Sequence, residues 1–466
     1  MSNLHYFGTD GIRDHVDGDM LRPAFIQRLG HAIATTLEQH RNSDDPPSVV
    51  LGRDTRESSP RIANTLIPVL VEAGITVRDL GVIPSPGVSM AVLEQHAHLG
   101  IAITASHNPS EYNGIKLVNA KGMKLHEGEE AEIEELISNG GKEQKESTVD
   151  RKLAESNKES LFQDMPFAEH YIRNWCRWIG KSSLQGIRMV LDTANGAASH
   201  TSQPILEHAG VEVIPIGNQP SGKNINHSCG SENLDALKKA VLAHQADMGA
   251  AHDGDADRLA LVDEAGFAVP GEQLLGALGH HFLAEGRLKN HTIVTTVQSN
   301  QGLDIAMERA GGKVYRTSVG DRHVLNKLLE TDSHYGGETS GHLLFLDQFP
   351  TGDGLLTLLQ TLSMLRAHQK PVSQVCSAIP LLPAIQDKLT VSEKIPLENM
   401  PQLRAVIEQK NASFGTHRHH SGRILVRYSG TEPALRFLVE ATTEHAATSI
   451  LQELKEAAKS DLKLPT

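Results

Sequence analysis

Three aspartates at alternate positions are the most chemically specific feature of this sequence. Asp253, Asp255 and Asp257 fall in the run Asp-Gly-Asp-Ala-Asp-Arg, and the apolar residues after it predict a strand. Side chains at this spacing point to one side in extended backbone, and crowded carboxylates repel unless a hard cation holds them. An EF-hand loop has a similar start, with Glu264 at its twelfth position, but Arg258 stands where that loop needs glycine. We therefore predict a Mg²⁺ site after a strand, in preference to an EF-hand or a solvated acidic loop.

A serine beside a histidine is the second chemical signal. Ser106 lies in Thr-Ala-Ser-His-Asn-Pro, directly after the apolar residues 101–103, so it follows the end of a predicted strand. Open α/β sheets bind ligands at the carboxyl ends of their strands. The Ser106 hydroxyl beside His107 has the composition of a nucleophile. A turn or a helix N-cap is the alternative structural interpretation, and the residue types alone leave both open.

Two further loops combine flexible backbone with polar side chains. Residues 336–342 read Gly-Gly-Glu-Thr-Ser-Gly-His, which suits a polyhydroxylated ligand or an ordinary tight turn. Residues 427–433 read Arg-Tyr-Ser-Gly-Thr-Glu-Pro, and Arg436 follows. Guanidinium groups, hydroxyls and backbone N–H groups together favour a phosphate-binding loop, with an Arg-bearing hairpin turn as the alternative.

The elements that must position these loops repeat along the chain. An apolar run, a polar loop, a helical segment ending in Ala-Gly and a second apolar run occur three times, beginning at Val49, Met189 and Ile293. Each copy is typical of a βαβ unit, which builds parallel sheet. Any α/β protein repeats such units, but the similar internal spacing favours three related α/β domains.

These patterns predict three similar mixed-sheet α/β domains and a smaller C-terminal α+β domain. Residues 138–160 are polar and predict a linker, and the composition becomes richer in proline near residue 371. The predicted domains are 1–150, 160–252, 259–369 and 371–466, with the loop 253–258 at the boundary of the second and third.

Composition excludes several classes of protein. The 466 residues carry a formal charge of −13 and only 4% aromatic residues, which argues against nucleic acid as a partner. Three scattered cysteines form neither a disulfide framework nor a metal motif, and they fit a reducing cytoplasm. The sequence contains no apolar run of membrane-spanning length and no signal-peptide pattern, so we expect a cytoplasmic protein without a membrane partner.

Together, the serine loop, the DGDADR loop, the GGETSGH loop and the RYSGTEP loop resemble the α-D-phosphohexomutase superfamily. The opening residues 7–13, Phe-Gly-Thr-Asp-Gly-Ile-Arg, belong to the same pattern, and the resemblance runs along the whole chain. It implies four domains around a central cleft. It also implies that Ser106 carries a phosphate in the active enzyme.

The resemblance implies a role for each candidate residue. One Mg²⁺ per chain would be held by Ser106 and the three aspartates, and Arg13, His107, Lys116 and Arg258 would act in catalysis. Lys116 would need a lowered pKa to serve as general base. The implied sugar ligands are Glu338, Ser340 and His342. The implied phosphate ligands are Arg427, Ser429, Gly430, Thr431 and Arg436.

Within the superfamily, the sequence most resembles the bacterial phosphoglucosamine mutase family, through residues 220–226, 229–231, 319–322 and 351–354. This implies an isomerase that interconverts glucosamine 6-phosphate and glucosamine 1-phosphate through a sugar 1,6-bisphosphate. The product would feed UDP-N-acetylglucosamine synthesis. Related bacterial enzymes suggest a homodimer. Phosphomannomutase/phosphoglucomutase activity is the alternative, because Thr339 and Tyr428 depart from the usual residues of the sugar and phosphate loops.

Overall fold

The computed structural model contains four separate β-sheets. It describes residues 4–8, 10–41, 45–139, 161–414, 421–429 and 433–463. The sheets have six, five, four and three strands in chain order. The first three combine parallel and antiparallel pairs, and the last is antiparallel. Most of the predicted linker, residues 140–160, lies outside the described residues.

The first sheet carries the Ser106 loop and has the strand order β1-β5-β4-β2-β3-β6. Its strands are β1 (Ile12–His15), β2 (Ser48–Arg53), β3 (Thr76–Val82), β4 (Leu99–Ile103), β5 (Tyr112–Asn119) and β6 (Phe162–Asp164). Its helices are α1 (Pro23–Gln39), α2 (Ser59–Glu72), α3 (Ser85–Glu94) and α4 (Glu127–Ser138). β6 pairs with β3, so the range 160–252 predicted for the second domain begins with a strand of the first sheet.

The second sheet carries the aspartate loop and has the order β11-β10-β9-β7-β8. Its strands are β7 (Arg188–Asp192), β8 (Glu212–Ile216), β9 (Met248–Ala251), β10 (Ala260–Val262) and β11 (Ala268–Val269). The helices of this part are α5 (Ala168–Ile179), α6 (Ser202–His208) and α7 (Asp235–His244). After the aspartate loop the chain returns antiparallel to β9, so the second unit extends beyond the boundary predicted at residue 259.

The third sheet carries the predicted sugar loop between its last two strands, with the order β13-β12-β14-β15. Its strands are β12 (Thr292–Thr296), β13 (Lys313–Thr317), β14 (Tyr335–Gly337) and β15 (Leu343–Phe345). The helices are α8 (Gly271–Ala284), α9 (Gly302–Arg309), α10 (Asp321–Glu330), α11 (Gly354–His368) and α12 (Val372–Cys376). α12 buries Val372 and Cys376 in the same apolar cluster as α8 and α11, so it packs with the third unit rather than with the predicted fourth.

The C-terminal sheet has the order β16-β18-β17 and its own apolar cluster. Its strands are β16 (Ala384–Thr390), β17 (Gly422–Tyr428) and β18 (Ala434–Ala441), and its helices are α13 (Pro401–Ser413) and α14 (Glu444–Asp461). Alternate residues of β18, such as Leu435, Phe437 and Val439, pack in that cluster with α14. Successive side chains of a strand point to opposite faces, so Arg436 lies on the other face of the sheet.

A shared core fixes the first three units against one another. One buried apolar cluster includes Val50 of the first sheet, Leu191 of the second and Ile293 of the third. Each unit presents its functional loop immediately after a strand: Ser106 follows β4, Asp253 follows β9 and Glu338 follows β14. Within the described residues, the helices are too short or too polar to cross a membrane.

Candidate functional site

The Ser106 loop is held in an unusual backbone conformation. Ser106 has a φ of 51°, in the left-handed region that residues other than glycine adopt at an energetic cost. Its N–H donates to Thr104 Oγ1 at 2.9 Å. Its carbonyl oxygen accepts from Arg56 Nη2 at 3.1 Å and from Asn226 Nδ2 at 2.8 Å. These bonds fix the backbone and thereby the position of the Ser106 hydroxyl.

Arg56 lies beneath this loop with its side chain fully buried. Its Nε donates to Asp54 Oδ2 at 2.8 Å. The rest of the guanidinium donates to four carbonyl oxygens of the loop, those of Ser106, Asn108, Pro109 and Tyr112. Neither Arg56 nor Asn226 was among the residues predicted from the sequence. The available signal for Arg56 was the polar run Gly-Arg-Asp-Thr-Arg that begins in β2.

The aspartate loop approaches the serine loop because Gly254 has no side chain. A Cβ at residue 254 would lie 2.6 Å from the Ser106 carbonyl oxygen. The alternation of aspartates suggested extended backbone. The loop is not extended, because Ala256 has a φ of 59°. The three carboxylates converge all the same: Asp253, Asp255 and Asp257 are buried, and one oxygen from each lies within 4.8 Å of the others.

The oxygen atoms of this cluster fit a hard divalent cation. Ser106 Oγ donates to Asp253 Oδ2 at 2.6 Å, so the serine hydroxyl touches the cluster. Asp255 Oδ1 and Asp257 Oδ1 are buried and accept no hydrogen bond within normal distance from any residue that the structure describes, and His342 Nδ1 lies 3.6 Å from Asp257 Oδ1. Buried carboxylate oxygens without a donor are unfavourable unless a cation compensates them, and oxygen is the ligand that Mg²⁺ prefers.

Lys116 enters the same cluster. Its ammonium Nζ lies 2.9 Å from Asp10 Oδ2, 2.8 Å from Asp255 Oδ2 and 3.1 Å from Asp257 Oδ2. Burial disfavours the charged form, but Asp10, Asp255 and Asp257 together raise the pKa of Lys116 well above its ordinary value. Lys116 therefore lacks the lowered pKa that a general base would need, and it is a fixed positive charge in this structure.

The carboxylates of the cluster differ in their affinity for protons. Burial, followed by the charges of Asp257 and Asp255, raises the pKa of Asp253 well above its ordinary value. Burial would also raise the pKa of Asp257, but Lys116 and His342 lower it well below that value. Burial and its acidic neighbours thus disfavour the charged form of the carboxylate that contacts Ser106, and a bound cation would offset this effect.

One further predicted residue, His107, contacts Ser106, and two predicted arginines lie near that histidine. His107 Nδ1 lies 3.3 Å from Ser106 Oγ. Burial, with the charges of Arg258 and Arg13, lowers the pKa of His107, so its imidazole is neutral near pH 7. Arg13 Nη1 donates to Asn108 Oδ1 at 2.7 Å, and Arg258 Nη1 lies 3.4 Å from Glu232 Oε1. The structure therefore places a neutral imidazole beside the hydroxyl and two arginines close enough to that imidazole to lower its pKa, a favourable setting for a phosphate.

Six alternating acidic and basic side chains form a closed ring that links the first three units, and we call it the charge ring. Its members, in order, are Asp257, Lys116, Asp10, Lys124, Asp321 and His342. Lys124 contacts both Asp10 and Asp321, and His342 lies 3.6 Å from both Asp257 and Asp321. Burial opposes the charged imidazole, but Asp257 and Asp321 raise the pKa of His342.

His342 therefore differs from its implied role as a sugar ligand. Its side chain is only 5% exposed and lies between two carboxylates of the ring. The other two predicted sugar ligands fit better. Glu338 accepts the N–H of Gly320 through Oε1 at 2.9 Å. Ser340 Oγ is buried and has no hydrogen-bond partner among the described residues, so it is available to a ligand hydroxyl.

The predicted phosphate ligands lie in the C-terminal sheet. Arg427 on β17 is directly opposite Arg436 on β18, and Lys388 on β16 is opposite Arg436 on the other side. Cross-strand neighbours share a face, and like charges placed there destabilise a sheet unless an anion offsets them. Burial, then the charge of Arg436, lowers the pKa of Arg427. Ser429 is buried at the end of β17, while Gly430 and Thr431 lie outside the described residues.

Tyr428 does not belong to this basic face. Its side chain packs in the apolar cluster of the C-terminal unit, and its hydroxyl donates to the Ile395 carbonyl oxygen at 2.7 Å. The unusual residue at this position is therefore directed away from Arg427 and Arg436. The departure from the usual residue at position 428 therefore does not alter the side chains that this face offers to a phosphate group.

The site combines a serine and a carboxylate cluster, shared by two α/β units, with a paired-arginine face on a separate sheet. These are features that an enzyme of phosphoryl transfer would use. Comparison with known families agrees: the chain belongs to the phosphoglucomutase/phosphomannomutase family. Its alpha/beta/alpha domains I, II and III match residues 4–144, 167–266 and 270–381, and its C-terminal domain matches residues 388–457. The predicted superfamily and fold class are confirmed.

Curated relatives narrow the comparison to one kind of protein within the family. A phosphoglucosamine mutase of Geotalea uraniireducens is 36% identical over 458 residues, which is 98% of each chain. One of Limosilactobacillus reuteri is 37% identical over 467 residues, 99% of each chain. One of Pelotomaculum thermopropionicum is 38% identical over 443 residues, covering 93% of this chain and 94% of the relative.

Solved structures share the whole fold. A phosphoglucomutase/phosphomannomutase family protein of Burkholderia thailandensis superposes with a TM-score of 0.79 at 23% identity, covering 99% of this chain and 98% of the other. An N-acetylphosphoglucosamine mutase of Aspergillus fumigatus, solved with GlcNAc-6P and magnesium, has a TM-score of 0.64 at 16% identity, covering 99% and 96%.

Proposed function

We propose that the protein is a phosphoglucosamine mutase that interconverts glucosamine 6-phosphate and glucosamine 1-phosphate. The observation that carries the proposal is the contact of 2.6 Å between the Ser106 hydroxyl and the buried aspartate cluster. The extended similarity to proteins of that name supports the choice of sugar. The product would supply UDP-N-acetylglucosamine synthesis.

The chemistry consists of two phosphoryl transfers through Ser106. In the first, the bond between Ser106 Oγ and phosphorus breaks as a bond forms to O1 of glucosamine 6-phosphate, which gives the 1,6-bisphosphate. The bisphosphate turns over, and Ser106 takes the phosphoryl group from O6, which leaves glucosamine 1-phosphate. Transfer of this kind depends mainly on positioning and charge stabilisation, and the bonds to the Ser106 backbone supply the positioning.

Asp253, Asp255, Asp257 and Ser106 would hold one Mg²⁺ per chain. A bound Mg²⁺ withdraws negative charge from a phosphoryl group during transfer. Arg13 and Arg258, the cations that lower the pKa of His107, would bind the phosphate of phosphoserine. Lys116 remains charged and holds Asp255 and Asp257 in place.

In the first transfer O1 of the sugar loses a proton and Ser106 Oγ gains one, and in the second transfer Ser106 Oγ loses a proton and O6 gains one. Two groups touch the Ser106 oxygen: the Asp253 carboxylate at 2.6 Å and the His107 imidazole at 3.3 Å. Neutral His107 can accept that proton, since burial and the nearby arginines keep it uncharged. We therefore assign proton exchange with Ser106 to His107.

The remaining candidates recognise the sugar in both of its orientations. Glu338 and Ser340 bind its hydroxyl groups. The phosphate that is not being transferred is bound by Arg427, Ser429, Gly430, Thr431 and Arg436. A separate C-terminal sheet suits this task, because its movement would open the site while the intermediate turns over. Predictions of a homodimer, a cytoplasmic location and the absence of nucleic-acid or membrane partners stay predictions.

A substrate panel tests the proposal. With Mg²⁺ and a trace of sugar 1,6-bisphosphate, we expect kcat/KM to be highest for glucosamine phosphate among glucosamine, glucose and mannose phosphates. Mass spectrometry should find phosphate on Ser106. Ser106→Ala should abolish turnover, and Ser110→Ala, in the same loop, should not. A preference for glucose or mannose phosphate would contradict the substrate assignment, and an active Ser106→Ala variant would contradict the mechanism.

A further inference from the structure

A cavity in the third unit lies outside the site described above. It has a volume of about 340 Å³ and is bounded by α8, α9, the end of α11, and α12 with the residues that follow it. This volume is in the range of pockets that bind small molecules. None of its lining residues belongs to the serine, aspartate, sugar or phosphate loops.

The rim of this cavity is basic. Arg309 and Lys370 contribute fixed positive charges, and His280 and His368 contribute imidazole nitrogens. None of the twelve lining residues is an aspartate or glutamate. The chain as a whole carries a formal charge of −13, so a concave surface with only basic charged groups is a local exception. Such a rim attracts small anions, and guanidinium and ammonium groups favour phosphate.

The floor of the cavity is apolar. It is formed by Ala277 of α8, Ala306 of α9, Val375 of α12, and Ile379 beyond that helix. An apolar floor below a basic rim matches a ligand that has an uncharged body and a phosphate group. We propose that this cavity binds a small phosphorylated metabolite and that its occupancy adjusts the position of the C-terminal sheet.

The link to the C-terminal sheet is the chain segment that forms one wall. Ile379 and Pro380 line the cavity, and β16 begins only four residues later, at Ala384. Gln273 of α8 donates to the Ile379 carbonyl oxygen at 2.8 Å. Asn300 holds Leu382 by two bonds, donating to its carbonyl oxygen at 2.9 Å and accepting its N–H at 3.0 Å. A ligand in the cavity therefore packs against the segment that joins the third unit to the C-terminal sheet.

Calorimetric titration with phenyl phosphate tests the binding, because this probe combines an apolar ring with a phosphomonoester. Inorganic phosphate serves as the probe without an apolar body. We expect wild type to have one more binding site for phenyl phosphate than the double variant Arg309→Gln/Lys370→Gln has. At that additional site, phenyl phosphate should bind at least tenfold more tightly than inorganic phosphate. Arg309→Lys/Lys370→Arg, which keeps both charges, should retain the site.

A matched control removes the same two residue types elsewhere in the third unit. Arg366→Gln/Lys313→Gln changes residues that do not line the cavity, and it should bind like wild type. Identical isotherms for wild type and Arg309→Gln/Lys370→Gln would overturn the site. Equal affinity for phenyl phosphate and inorganic phosphate would overturn the assignment of the ligand class.

Kinetics test the coupling and rest on the proposed function, whereas the titration does not. Phenyl phosphate that competes in the active site raises KM alone, so an effect on kcat isolates the cavity. We expect the probe to change kcat at least twofold in wild type and the matched control but not in Arg309→Gln/Lys370→Gln. Binding without any change in kcat would overturn the coupling.

Discussion

The arginine beneath the serine loop offers a sharp test of how the site is positioned. Arg56 makes five hydrogen bonds, one to Asp54 and four to carbonyl oxygens of residues 106–112, and its side chain is fully buried. Lysine keeps the charge but has three donors, so Arg56→Lys removes at least two of these five hydrogen bonds. At 1.5–3 kcal/mol for a bond to a charged group, the loop loses about 3 to 6 kcal/mol of local stabilisation.

That loss is large compared with the energy needed to hold Ser106 in its left-handed conformation. Backbone strain of this kind is about 1 to 3 kcal/mol, and it persists only where the surroundings enforce it. We therefore expect the Ser106 loop of Arg56→Lys to relax and kcat to fall about a hundredfold, the loss typical of a reacting group misplaced by about 1 Å. Hydrogen exchange should report faster opening across residues 105–112.

Steady-state kinetics and hydrogen exchange should be measured together, with Arg61→Lys as the control. Arg61 belongs to α2, is exposed and donates to the Val16 carbonyl oxygen, so the same substitution there leaves the serine loop intact. Lost activity with unchanged exchange would mean that Arg56 acts on the chemistry itself. Wild-type kcat together with wild-type exchange in Arg56→Lys would refute the positioning argument.

Three other predictions follow from individual side chains. Asp255→Asn should weaken Mg²⁺ binding more than tenfold by direct titration, whereas Asp263→Asn, beyond the loop, should not. Arg427→Gln should raise KM about tenfold or more through loss of a charged hydrogen bond, and an unchanged KM would contradict its assignment. Burial raises the pKa of Asp353 to about 7 from 3.8. Between these two pKa values, 3.8 and about 7, the folded chain holds a proton that the unfolded chain has lost. The free energy of unfolding therefore falls as pH rises across this range, by about 4 kcal/mol in total. Asp353→Asn should therefore raise Tm relative to wild type at about pH 8 and less at about pH 5; an equal difference would contradict the sign.

The parts of the site that could be predicted from the sequence are those with a local signal. Ser106 and the aspartates each follow an apolar run, and the carboxyl ends of strands are where α/β sheets place functional groups. Their residue types also limit the chemistry, because three crowded carboxylates require a cation. The fold class followed from the repeated strand-helix-strand pattern, which does not depend on knowing how the units pack.

The parts that could not be predicted depend on contacts between residues distant in sequence. Arg56 meets the serine loop 50 residues later, and Asn226 meets it across 120 residues. The sequence left open whether Lys116 could be the general base for the same reason: only the fold reveals that Asp10, Asp255 and Asp257 all converge on it and raise its pKa. The predicted domain limits differ from the structure where a short strand joins the sheet that precedes it in the chain: β6 pairs with β3 of the first sheet, and β10 pairs with β9 of the second.

The charge ring is better explained by positioning than by stability. Buried ion pairs are often no more stabilising than apolar side chains of similar volume, because removing the charges from water offsets their attraction. Removing a single partner, by contrast, leaves an uncompensated buried charge. Asp10, Lys116 and Lys124 come from the first unit, Asp257 from the second, and Asp321 and His342 from the third, so the ring is complete in only one arrangement of the three units. In that arrangement Ser106 contacts Asp253. Phosphoryl transfer depends on precise positioning of the reacting groups, so the ring serves catalysis by holding these two residues in a fixed relative position.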